Sequence, residues 1–86
     1  MAVWGEVVFV SRNQGMVVVK SDEGFTVVEL LGDEGFVQVG DNALGDWSAC
    51  GGELITVRRK RLDTYFQGTF GDPGVAVAMA RRMGGG

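Results

Sequence analysis

Apolar residues occupy both alternating rows of the chain's opening stretch. From Val3 to Ser11 one row holds Trp4, Glu6, Val8 and Val10, and the other Val3, Gly5, Val7, Phe9 and Ser11. A strand with two apolar rows is expected to be covered on both faces. Arg12-Asn13-Gln14-Gly15 predicts a turn, because glycine takes positive φ at no steric cost. Met16 to Lys20 reads as the second strand, Ser21-Asp22-Glu23-Gly24 as the next turn, and Phe25 to Leu31 as the third strand. Asp22-Glu23-Gly24-Phe25 is echoed as Asp33-Glu34-Gly35-Phe36. Each copy reads as a turn closing onto an aromatic strand start, the pattern of a meander. Phe36 to Val39 is then a short fourth strand. Residues 40–52 read as a loop in which Leu44 and Trp47 plug one end of a barrel. Glu53 to about Asp63 reads as a long strand with a basic middle, which Thr64 to Phe70 extends.

The tail changes period. Asp72 is a helix cap, and Pro73 suits the first turn, where its missing N–H costs nothing. Val75, Met79 and Met83 are spaced by four on one helical face. Arg81 and Arg82 fall in the last turn, where cations suit the helix dipole. The expected fold is mainly β: a small five-stranded barrel over residues 1–71, with a short helix and a frayed glycine tail over 72–86, forming one domain.

Composition narrows the chemistry. The chain has 86 residues, of which 15 are glycine. One cysteine, Cys50, excludes an internal disulfide and fits a reducing cytoplasm, the expected location. There is no histidine, which removes the commonest general base and metal ligand. Without it Cys50 is expected to be a half-buried thiol rather than a nucleophile. No enzyme activity and no cofactor are expected. Asp33, Glu34, Asp41 and Asp46 are read as solvated turn residues rather than metal ligands, since no EF-hand spacing is present. No apolar run is long enough to span a bilayer, and no membrane partner is expected. The net charge of −3 gives no global attraction to phosphate.

Three successive segments carry a family resemblance: Gly5-Glu6-Val7-Val8-Phe9-Val10-Ser11, Gln14-Gly15-Met16-Val17-Val18-Val19 and Thr26-Val27-Val28-Glu29-Leu30. They resemble the first three strands of the cold-shock type of oligonucleotide-binding (OB) barrel and, more loosely, of the S1 type. Val39-Gly40-Asp41 resembles the step that enters a later strand in those families. The resemblance spans about residues 5–41 and implies an OB-like barrel that binds single-stranded nucleic acid. In such barrels outward aromatics stack on bases, worth about 1–3 kcal/mol per base. Of those aromatic positions only Phe9 is retained. Met16, Val18 and Val27 replace others, and Glu29 stands where the family has a histidine.

Two alternative binding surfaces are therefore expected, one for single-stranded nucleic acid first and one for a protein contact as the alternative. For single-stranded nucleic acid the candidates are Phe9, Lys20, Arg58, Arg59, Lys60, Arg61 and Tyr65, centred on the one dense basic run. On a strand, that run presents Arg59 and Arg61 to one side and Arg58 and Lys60 to the other. The bland reading of the same run is an edge strand blunted by charge. For a protein partner or a homodimer the candidate is an apolar strand face. If Val8, Val10, Val17, Val19, Val28 and Leu30 point inward, then Val7, Phe9, Met16, Val18, Phe25 and Val27 point outward. A patch of that size is exceptional when bare. The chain's own terminal helix is the first expectation for its cover, ahead of a second subunit or a partner.

Overall fold

The computed structural model describes residues 1–85. Six strands form: β1 (Val3–Val10), β2 (Met16–Ser21), β3 (Gly24–Leu30), β4 (Asn42–Gly45), β5 (Gly51–Val57) and β6 (Lys60–Phe70). One helix, α1 (Pro73–Met83), follows. The strands close a barrel in the order β1-β2-β3-β6-β5-β4, every neighbouring pair antiparallel, with β4 returning to β1. The mainly-β barrel with a short C-terminal helix is as expected, with six strands rather than five. No helix among the described residues is long and apolar enough to cross a membrane.

Two departures account for the strand count. Phe36–Val39 is not a strand. Asp33 and Gly35 adopt positive φ, Phe36 donates its N–H to the Asp33 carbonyl, and the Asp41 carboxylate takes the Gln38 N–H at 2.9 Å. These local bonds hold the backbone in turns, and Val37 is buried in the barrel core. The fourth strand is instead Asn42–Gly45, inside the expected loop. Further on, the expected continuous strand of 53–63 folds back on itself. Arg58 and Arg59 have φ of 48° and 69°, and Val57 pairs with Lys60, so the two arginines form a two-residue turn of the I′ kind.

A bulge in β1 corrects the expected facing of residues. Val7 pairs with Val19 and Phe9 with Val18, so Val8 is the extra residue between them. Val7 therefore points into the barrel, while Val8 packs outside with Phe9, reversing the expected assignment of Val7 and Val8. Val10 returns to the inside.

The barrel is filled by Val7, Val17, Val19, Val28, Ile55, Val57, Leu62, Phe66 and Trp47, among others. Trp47 stacks on Phe66 with ring centroids 5.3 Å apart, and its indole N–H donates to the Val3 carbonyl at 2.8 Å. Gly5 and Gly45 make room for that ring. A Cβ on Gly5 would lie 2.6 Å from Val19 and 3.2 Å from the indole nitrogen, and one on Gly45 would lie 3.1 Å from the indole. Trp47 thus plugs the barrel as expected, whereas Leu44 faces outward and is only partly covered.

The helix lies across β2 and β3, with a lighter contact to β6. Asp72 caps it, accepting the Gly74 N–H at 2.8 Å. Its buried residues are Ala76 and Ala80, with Val77 and Met79 partly buried beside them. The expected stripe is rotated: Val75 and Met83 are 49% and 45% exposed. Alanines let the helix axis approach the sheet where larger side chains would hold it off. Gly84 ends the helix against the β1–β2 turn, where its carbonyl takes the Asn13 N–H at 3.1 Å. A Cβ there would fall 2.2 Å from that of Ser11. Of the tail expected to fray, Gly84 is buried and docked, and Gly86 lies outside the described residues.

Candidate binding surface

Beneath the helix lie Met16, Val18 and Val27, fully or nearly buried, with Phe9 and Phe25 partly buried at the margin. These are five of the six residues expected on the outward apolar face; Val7, the sixth, is in the core. Burying a valine or methionine of this kind is worth roughly 1.5–3 kcal/mol each. The cover over that face is the chain's own helix. Arg81, near its C-terminal end, lies over Phe9 at 5.4 Å from the ring centroid.

The basic run does not make a stripe. Arg58 stacks over Phe36 at 4.2 Å, donates to the Phe36 carbonyl and pairs with Asp41 at 3.3 Å. Lys60 flanks the same ring at 5.1 Å and pairs with Asp33 at 2.8 Å. The two cations therefore fasten the 31–41 loop to the β5–β6 hairpin. Arg59 projects at the hairpin tip. Arg61 sits on the outer face of β6 opposite Thr56. Lys20 is elsewhere, on β2 opposite Glu6. Tyr65 is half exposed on β6, between Glu29 of β3 and Gly52 of β5. The seven residues expected to bind nucleic acid are thus spread over the helix margin, the clamp, the hairpin tip, the outer wall and, for Lys20, β2.

Three of the four acidic loop residues have partners, and Glu34 is exposed. Asp33 and Asp41 serve the clamp. Asp46 accepts the Ser48 hydroxyl at 2.8 Å and the Ser48 N–H at 3.3 Å. Its carboxyl is held below the usual carboxylate range, chiefly by that hydroxyl. Among the described residues no metal-holding group of three or more His, Cys, Asp or Glu side chains occurs. Cys50 is exposed, not half-buried.

The sequence pattern leaves one surface unmarked: the outer wall of β1, β4, β5 and β6, which the helix leaves bare. Its outward side chains fall in cross-strand rows. Trp4, Leu44, Thr56 and Arg61 are successive partners from β1 to β6. The next row sets Leu54 opposite Asp63, whose carbonyl takes the Leu31 N–H. The third holds Gly52, Tyr65 and Glu29. Trp4, Leu54 and Leu31 are each more than half exposed. A depression of about 700 Å³ lies across these rows, lined by Leu31, Gly52, Glu53, Leu54, Asp63 and Thr64. The signal that would have located this wall is parity. Ile55 and Val57 are odd-numbered core residues and Leu62, Thr64 and Phe66 even-numbered ones. That flip marks a two-residue turn between them.

No protein-family model, no curated protein and no solved structure matches the chain.

Proposed function

We propose that this chain is a non-catalytic binding module built on an OB-like barrel, and that its ligand is a segment of another protein. The cold-shock resemblance accounts for the opening meander, and the helix occupies the wall on which such barrels stack bases. The observation that carries the protein reading is the bare wall. Its depression of about 700 Å³ is lined by the exposed Leu31 and Leu54 together with Glu53 and Asp63, carboxylates that repel phosphate and suit a positively charged polypeptide. The cations that would attract nucleic acid are dispersed, and two of them are engaged in the clamp.

One observation favours the second reading, single-stranded nucleic acid. Trp4 is 63% exposed, in the row that ends at Arg61 and next to the strand pair holding Lys20. That is a stacking group with cations on both sides. Titrating a fluorescent single-stranded oligonucleotide at low salt decides between the two. The protein reading expects no saturable binding up to about tens of micromolar, where even non-specific phosphate binding registers. Saturable binding that weakens as salt is raised would replace it with the nucleic-acid reading.

A further inference from the structure

The barrel is closed by only a short contact between β4 and β5. Ala43 pairs with Val57 and Leu44 with Thr56, and there β4 turns away to follow β1, where Gly45 meets Val3. The first half of β5 is thus paired on the β6 side alone among the described residues. The two-residue turn at Arg58-Arg59 fixes which backbone groups this leaves free. In such a hairpin the pair flanking the turn, Val57 and Lys60, exchanges hydrogen bonds, and alternate pairs along the ladder do the same. Ile55 and Glu53 therefore bond to β6. Leu54 and Gly52 aim their N–H and C=O groups the other way, towards the split where β4 is missing. No turn or loop backbone among the described residues bonds to them. A hollow of about 340 Å³ opens at this split, with Gly45 and Asp46 on one side and Leu54 and Thr56 on the other.

We infer that this split takes one extended, basic segment of a partner protein, which adds itself as a short strand along Gly52 and Leu54. The inference rests on the protein-binding reading above and names the partner's chemistry. Two donors and two acceptors at alternate residues are what a strand edge offers to an incoming chain. Leu54, more than half exposed on the outer face, supplies an apolar contact for the side chains of that segment that lie on the same face. Gly52 leaves the space above the sheet open, since a Cβ there would meet nothing within 4 Å. The charge of the partner follows from the rim. Glu53 lines the split and Asp63 stands one strand in from the edge, opposite Leu54, neither with an ion-pair partner among the described residues, while Arg61 is the one cation lining the split. Lysine or arginine alternating with apolar residues satisfies both features. A second copy of this chain does not, because antiparallel edge-to-edge pairing centred on this stretch would set Glu53 of one copy against Glu53 of the other, and facing like charges destabilise a sheet.

Amide hydrogen exchange of the full chain tests this, with a short synthetic peptide of alternating lysine and valine as probe and a glutamate–valine peptide as control. The lysine peptide is expected to slow exchange at Gly52 and Leu54, and the control to leave it unchanged. Asp63→Lys, an exposed substitution, is expected to weaken the peptide by about tenfold. Leu54→Pro removes one edge donor while sparing the β6 ladder and is expected to abolish the protection. Should that variant fail to fold, Asp63→Lys decides. Unchanged exchange at both amides, equal protection by the glutamate peptide, or an affinity untouched by Asp63→Lys would overturn the inference. Slowed exchange at both amides with rising protein concentration and no peptide would overturn it in favour of a homodimer. Peptide protection at other residues sinks this inference alone, whereas oligonucleotide binding without peptide binding sinks the protein reading beneath it.

Discussion

The barrel has two outer walls built under opposite rules. On β2 and β3 the outward residues Met16, Val18 and Val27 are as apolar as the core, and a helix of small residues seals them. On β4, β5 and β6 the outward residues mix Leu44, Leu54 and Tyr65 with Thr56, Arg61 and Asp63, and among the described residues no helix is packed over them. The first wall contributes to stability through burial. The second contributes little, which leaves its residues free to serve a ligand. Burial therefore separates the scaffold from the working surface more sharply than residue type does, since large apolar side chains occur on both walls.

That contrast can be broken most forcefully from the covered side. Ala80→Glu places a carboxylate in the buried cluster of Met16, Val18, Val27 and Ala76 with no partner. It is expected to cost roughly 3 kcal/mol in chemical denaturation, and binding of a hydrophobic dye should rise as the helix lifts. Asp72→Ala removes the cap but no packing, and should lower stability by about 1 kcal/mol with the barrel's near-ultraviolet dichroism unchanged. Trp4→Ala deletes a far larger side chain from the bare wall, yet should change stability by no more than about 0.5 kcal/mol. A loss comparable to that of Ala80→Glu would show that the two walls do not differ as described.

The smallest effect concerns Asp46, beside the split. Because its folded-state pKa is lowered, its contribution is complete above the ordinary carboxylate range and is lost as pH falls through the lowered value. A pH series of melting temperatures should thus show a slightly shallower acid limb for Asp46→Asn. An identical limb would remove Ser48 and Asp46 from the account of that loop.

How much of this was legible in the sequence depended on local signals. The turns at residues 12–15 and 21–24 carry Asn, Asp and Gly, and the meander they join was readable. The repeat of Asp-Glu-Gly-Phe misled, because Phe25 opens a strand with β2 beside it while the stretch after Phe36 has no such neighbour and curls into turns. The Val8 bulge left no trace, since both rows of β1 are apolar and either phase looks buried. Asn42–Gly45 is too short to announce itself and is a strand through its partners on both sides. Arg58-Arg59 carries none of the Asn or Gly usual for its turn, so the hairpin passed for one strand and its arginines for a stripe. The helix is legible, but its largest residues point to the wrong face, since its smallest, Ala76 and Ala80, make the contact.

The two tryptophans stand at opposite extremes of solvent access, one against Phe66 in the barrel and one on the bare wall. The chain thereby carries its own pair of optical reporters. Emission from Trp47 should be blue-shifted and sheltered from iodide, and should move only when the barrel opens. Emission from Trp4 should be red-shifted and readily quenched, and should move when anything settles beside it. A single spectrum, read at its two edges, would separate unfolding from occupancy without a label.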